Sequence, residues 1–127
     1  TGFQFQKNDL QKLVKSFNGL IIIDEAYGEF SDFSLSDMVK SQENLIVVQT
    51  LSKSFGLAGL RLGYFIANKK FTDVFNRVLQ YPYPVSILTI ESAIIALQQS
   101  NQMKDAVQII KEERKRIIEN LKKYEKK

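Results

Sequence analysis

Two unbroken apolar runs, Leu20-Ile21-Ile22-Ile23 and Leu45-Ile46-Val47-Val48, limit what this chain can fold into. Both are short and largely β-branched. The first stops at Asp24-Glu25 and the second at Gln49-Thr50. Apolar runs without polar alternation predict strands covered on both faces, as in a parallel sheet flanked by helices. Residues 62–67 read as a third strand.

Around these runs the apolar spacing turns helical. Asn8 is placed to cap a helix over residues 9–17, with Leu10, Leu13, Val14 and Phe17 on one face and Asn18-Gly19 to end it. A polar loop over residues 28–36 precedes a short helical piece near 36–41, and Asn68 caps an amphipathic helix through Leu79. Tyr81-Pro82-Tyr83-Pro84 breaks regular structure, because proline lacks an N–H and biases its predecessor away from helix. Two helices follow, over residues 86–99 and 102–124. The last carries Met103, Val107, Ile110, Ile117, Leu121 and Tyr124 at 3–4 spacing with Arg114 interrupting, the pattern of an ordinary amphipathic helix rather than a coiled coil. Strand, helix and strand in alternation give an α/β fold with parallel neighbours, in which ligands sit beyond the carboxyl ends of the strands. Asp24 and residues 50–53 occupy two such ends.

Composition narrows the chemistry. With no Cys and no His among 127 residues there is no disulfide, no Cys-ligated zinc, no imidazole ligand and no Ser-His-Asp triad. Any reaction must run on Lys, Asp, Glu, Tyr, Arg, Ser, Thr or a borrowed cofactor. The net charge of +4 lies wholly in residues 111–127, which read as a solvated mixed-sign helix face rather than a nucleic-acid surface. No stretch reaches 18 apolar residues and no signal-peptide pattern opens the chain, so the expectation is no membrane and no nucleic-acid partner.

Taken singly, the polar strand ends leave several readings open. An Asp after an apolar strand fits the second acidic motif of a nucleotide triphosphatase, with Asp24 and Glu25 on magnesium, but no G-x-x-x-x-G-K-[ST] is present. It also fits a phosphoacceptor Asp with Thr50 and Lys53 on the next strand, but the upstream acidic pair is missing. Loop hydrogen bonding alone is a third reading, and a non-catalytic interaction module on the 102–124 helix a fourth.

Read together, Asp24-x-x-Tyr27, Thr50-x-Ser52-Lys53 and Arg61 resemble the cofactor site of the fold-type-I, class I and II aminotransferases. The segments I-D-E-A-Y-x-E-F and T-L-S-K-S-F-G-L-A-G-L-R-L-G-Y are similar to those of the histidinol-phosphate aminotransferases within that family. The resemblance covers most of residues 1–90, and its lysine segment is the more specific part. It implies pyridoxal 5'-phosphate bound covalently to Lys53, which would also move the proton between the substrate Cα and the cofactor. It implies Asp24 on the pyridine nitrogen from a fixed, partly buried position, and Tyr27 on the phenolate oxygen. Thr50, Ser52 and Arg61 would hold the phosphate, with Gly56, Gly59 and Gly63 letting the loop turn around it.

The resemblance also implies that Thr1-Gly2 ends an N-P-x-N-P-[TS]-G motif, so that the chain is part of a longer enzyme and incomplete at both ends. Residues 1–80 would belong to the cofactor-binding large domain, and residues 81–127 would form a Pro-containing junction and helices towards the small domain. An upstream Asn, a ring-stacking aromatic and a carboxylate-binding Arg would then lie elsewhere, leaving the isolated chain a weak cofactor binder with negligible turnover. Tyr83-Pro84-Val85-Ser86 departs from the family's P-Y-N-[VI]. The implied reaction is transamination of histidinol phosphate with 2-oxoglutarate, giving imidazole acetol phosphate and glutamate, in a homodimer. Other class I and II reactions and threonine-phosphate decarboxylation are the alternatives on the same core.

Overall fold

The computed structural model describes residues 4–78 and 85–124. Thr1-Gly2, Leu79, Tyr81-Pro82-Tyr83-Pro84 and the boundary expected at residues 80–81 lie outside the described residues. Helix α1 (Lys7–Ser16) leads into strand β1 (Ile21–Asp24). A loop with 3-10 turns at Gly28–Phe30 and Ser36–Lys40 then reaches β2 (Leu45–Thr50). Residues 51–62 connect β2 to β3 (Gly63–Ala67), and helices α2 (Lys69–Val78), α3 (Ile87–Gln98) and α4 (Ser100–Leu121) follow.

The sheet order is β1-β2-β3. β1 and β2 run parallel, with Ile21 opposite Leu45 and Asp24 opposite Val48. β2 and β3 run antiparallel, with Ile46 opposite Ala67 and Thr50 opposite Gly63. The second pairing corrects the expectation of parallel neighbours. A parallel pair needs a crossover, usually a helix, whereas residues 51–62 carry only the short 3-10 turn Ala58–Leu60, so the chain doubles back. The fold is α/β with a mixed sheet.

One face of the sheet carries the core. Ile21, Leu45 and Val47 pack with Val14 of α1 and with Leu35 and Val39, and Leu10, Ile23, Phe33, Met38 and Ile66 close around them. On the other face Phe65 meets the rings of Phe71 and Phe75 of α2 edge-on, at centroid distances of 5.8 and 4.7 Å. This cover does not extend over β1. Ile22 is 61% exposed, so covering on both faces holds for the central strand and not for this edge strand.

Side-chain caps fix the element ends. Asn68 Oδ1 accepts from the Lys70 N–H at 2.9 Å, and Ser86 Oγ accepts from the Thr89 N–H at 3.1 Å. α1 begins at Lys7 rather than after Asn8, with Gln6 at its cap and no side-chain bond there. Its far end is held instead by Asn44, whose Nδ2 donates to the carbonyls of Val14, Phe17 and Gly19 at 3.0, 3.0 and 3.2 Å. α4 buries Val107 and sends Lys111 Nζ to the Ser31 carbonyl at 2.8 Å. Ile110, Ile117, Leu121 and Tyr124 of the expected stripe stay exposed. No helix among the described residues is long and apolar enough to cross a membrane.

Candidate active site

The carboxyl ends of β1 and β2 lie side by side because the strands are parallel and in register at Asp24 and Val48. Asp24 closes a tight turn in which its Oδ1 accepts from the Ala26 N–H at 2.9 Å. Its side chain is exposed, not partly buried as expected, since it projects on the face that α2 leaves open around Ile22. Tyr27 sits just before the 3-10 turn Gly28–Phe30, its ring 61% exposed and tilted 6.3 Å from that of Phe30.

The second strand end is built on Leu51, which is fully buried and accepts from the Leu57 N–H at 3.0 Å. Thr50 Oγ1 donates to the Leu62 carbonyl at 3.0 Å, lies 2.9 Å from Ser52 Oγ and accepts from the Ser52 N–H at 3.1 Å. The loop therefore leaves and rejoins the sheet at one clamped point. Within it the Gly56 N–H donates to the Lys53 carbonyl at 3.0 Å, and Gly56 takes φ +67°, where a side chain would be strained. The Ser54 hydroxyl is buried without a hydrogen-bond partner among the described residues.

The two ends meet at Lys53 and Tyr27, where Nζ stands 5.2 Å from the ring centroid. Asp24, Tyr27 and Lys53 thus gather at neighbouring strand ends, and Thr50 and Ser52 form a hydroxyl pair beside them. Arg61 stands apart. It adopts φ +52°, a left-handed conformation uncommon for a side-chain-bearing residue, and its Nη1 donates to the Ala58 carbonyl at 3.0 Å.

Glu25 entered the sequence analysis only in the magnesium reading. It is 9% exposed, its Oε1 accepts from the Leu35 N–H at 2.8 Å, and its Oε2 accepts from Ser34 Oγ at 2.6 Å and Gln49 Nε2 at 3.0 Å. Successive residues of a strand face opposite ways, so Glu25 turns into the protein while Asp24 turns out. The two carboxylates are not brought together on a metal, and among the described residues no cluster of three acidic side chains could hold one. Gln49 Oε1 in turn accepts from the Tyr64 hydroxyl at 2.8 Å. Burial, then the charges of Glu29 and Glu25, push the Tyr64 phenol above its ordinary value of 10.0. Only the I-D-E-A-Y context signalled that Glu25 matters, and it did not say which way the carboxylate faces.

Comparison with known proteins gives consistent matches. The family profile described as "Aminotransferase class I and II" matches residues 1–126. A histidinol-phosphate aminotransferase from Thermoanaerobacter sp. (strain X514) is 42% identical over 123 residues, which is 95% of this chain and 34% of that protein. The crystal structure of the histidinol-phosphate aminotransferase from Clostridium acetobutylicum superposes with a TM-score of 0.84 at 30% identity, covering 97% of this chain and 38% of that one. The structure of L-threonine-O-3-phosphate decarboxylase from Porphyromonas gingivalis gives a TM-score of 0.74 at 27% identity, covering 81% and 32%. The chain spans about a third of the length of the curated relatives it matches.

Proposed function

This chain belongs to the aminotransferase class I and II family, and on that footing we propose that its strand ends hold pyridoxal 5'-phosphate in a histidinol-phosphate aminotransferase. The observation that carries the proposal is the convergence of Lys53 on Tyr27, with Asp24 on the adjoining strand end. The donor set fits the cofactor group by group: a carboxylate for a protonated pyridine nitrogen, a phenol for a phenolate, an amine for an aldehyde and two hydroxyls for a phosphate. Asp24 and Lys53 are both exposed, and a Cβ added at Gly56 or Gly59 would meet nothing within 4 Å, so the loop leaves room for a ligand.

When bound, the cofactor supplies the electron sink for charge developing at the substrate Cα. Asp24 would hold a proton on the pyridine nitrogen, and Tyr27 would donate its hydroxyl hydrogen to the phenolate oxygen. Lys53 Nζ would hold the cofactor through its aldehyde carbon and would be the base that carries the proton from the substrate Cα to the cofactor. Ser52 would donate to the phosphate, and Thr50 would do so on giving up the Leu62 carbonyl. Arg61 joins them on leaving the Ala58 carbonyl, and its planar fork suits two phosphate oxygens at once. The substrates proposed are histidinol phosphate and 2-oxoglutarate. Assembly as a homodimer, a cytoplasmic location and a division into residues 1–80 of a cofactor-binding domain and 81–127 leading out of it belong to the same proposal.

Borohydride reduction of an intact enzyme carrying this chain with pyridoxal phosphate, followed by peptide mapping, tests the reading. A stable adduct concentrated on Lys53 is expected; adducts scattered over surface lysines, with magnesium-dependent nucleotide binding, would overturn it. The similarity to threonine-phosphate decarboxylase favours a second reading on the same core. In an enzyme carrying this chain, glutamate formed from histidinol phosphate and 2-oxoglutarate supports transamination. Carbon dioxide released from threonine phosphate selects the decarboxylase.

A further inference from the structure

Glu25 is the one charged side chain buried among the described residues, and none of the three groups that donate to its carboxylate, two side chains and one main-chain N–H, is a cation. A carboxylate held only by neutral donors is a costly way to fill a core, where an apolar side chain of similar volume serves as well or better. It is, however, a directional clamp. Its main chain is also fixed: the Glu25 N–H donates to the Val48 carbonyl at 2.8 Å, and the Glu25 carbonyl accepts from the Gly28 N–H at 2.8 Å. The residue between Asp24 and Tyr27 is thus tied to the end of β2, to the loop at residues 34–35 and to the turn that follows it.

The clamp crosses the whole sheet. Gln49, one residue before Thr50 and paired with Tyr64 in the β2–β3 register, bridges from the Glu25 carboxylate to the Tyr64 hydroxyl. An amide can present either end, and the Tyr64 hydroxyl engaging its oxygen leaves its NH2 facing Glu25. Gly28 approaches so closely that an added Cβ would lie 3.1 Å from Glu25 Cβ. The row Glu25–Gln49–Tyr64 therefore locks the strand end bearing Asp24 and Tyr27 to the strand end bearing Lys53.

We propose that Glu25 is a positioning residue that, through Gln49 and Tyr64, holds the Asp24–Tyr27 turn against Lys53 before any cofactor binds. The inference deepens the pyridoxal-phosphate reading and rests on it for the purpose of the clamp, whereas the clamp itself is testable without cofactor.

The test compares an intact enzyme carrying the native chain with its Glu25→Leu, Glu25→Gln and Tyr64→Phe variants by amide hydrogen exchange and by borohydride mapping. In Glu25→Leu, protection of the Ala26 and Gly28 amides should fall about tenfold or more while that of residues 45–48 in β2 is kept, and the Lys53 share of adduct should fall with it. Glu25→Gln should restore both to within a few-fold, since an amide can rebuild the row if Gln49 turns over and donates to Tyr64. Unchanged Ala26 and Gly28 protection in Glu25→Leu would overturn the proposal. So would an equal loss at residues 45–48 in both Glu25→Leu and Tyr64→Phe, the sign of a merely structural role. If Glu25→Leu alone unfolds, Tyr64→Phe decides, with selective loss at Ala26 and Gly28 expected. If the intact native enzyme shows no preference for Lys53, the cofactor reading fails while the exchange data still decide the clamp.

Discussion

Lys53 and Tyr27, carried by different strand ends, meet with the ammonium nitrogen 5.2 Å from the ring centroid. The contact is exposed, and a cation over an exposed ring is worth about 0.5–1 kcal/mol. Tyr27→Leu should therefore lower unfolding stability by less than about 1 kcal/mol. The ring-current shift of the Lys53 ε-methylene protons should disappear in its NMR spectrum, and Tyr27→Phe should keep it. Identical shifts in the native chain and Tyr27→Leu would mean the two groups do not meet in solution.

The sheet's centre should respond to truncation far more than its edge. Leu45 is wholly buried and central to the core cluster, so Leu45→Ala should cost about 2–5 kcal/mol in urea unfolding. Ile22→Ala, at an exposed position of β1, should cost within about 0.5–1 kcal/mol. Equal losses at the two sites would contradict the one-sided cover of β1.

Asn44 fastens helix to strand with a single amide group serving three carbonyls. Asn44→Ala leaves those carbonyls at the end of α1 without their donor, which should cost about 1–3 kcal/mol. Early melting of helical circular dichroism is expected; a melting curve that overlays the native one would show that water replaces the amide without loss.

The Tyr64 phenol lies above 10.0 because burial and then the Glu29 and Glu25 charges disfavour its phenolate. Its folded value exceeds its unfolded value, so its contribution to stability is fully present below pH 10.0 and is lost as pH rises through the folded value. Alkaline denaturation should therefore steepen above pH 10.0, and Tyr64→Phe should remove that part of the slope. A native phenol that titrates at 10.0 by ultraviolet absorbance would contradict it.

The elements that reveal themselves in sequence are those whose neighbours are local. Residues 45–47 show their burial by composition alone, and Asn68 and Ser86 cap helices within three residues of themselves. Asp24, Tyr27, Thr50, Ser52 and Lys53 could be singled out because their order and spacing resemble a family, and the strand ends do bring Lys53 to Tyr27. What stayed hidden depends on partners far along the chain. The direction of β3 follows from what the 51–62 connection lacks, and the exposure of Ile22 follows from where α2 stops covering the sheet. Glu25 and Asp24 look alike in sequence. Only Leu35 and Gln49, ten and twenty-four residues away, decide that one is buried and the other meets solvent.

The one-sided cover of β1 has a colloidal consequence. With β2 on one flank and no strand on the other among the described residues, β1 is an edge strand beside an uncovered isoleucine. Such an edge is a template for edge-to-edge assembly of identical chains. Ile22→Lys places a charge on that template at a position that contributes little to the core. Light scattering should show slower, less concentration-dependent growth of oligomers for Ile22→Lys than for the native chain, at nearly unchanged unfolding stability.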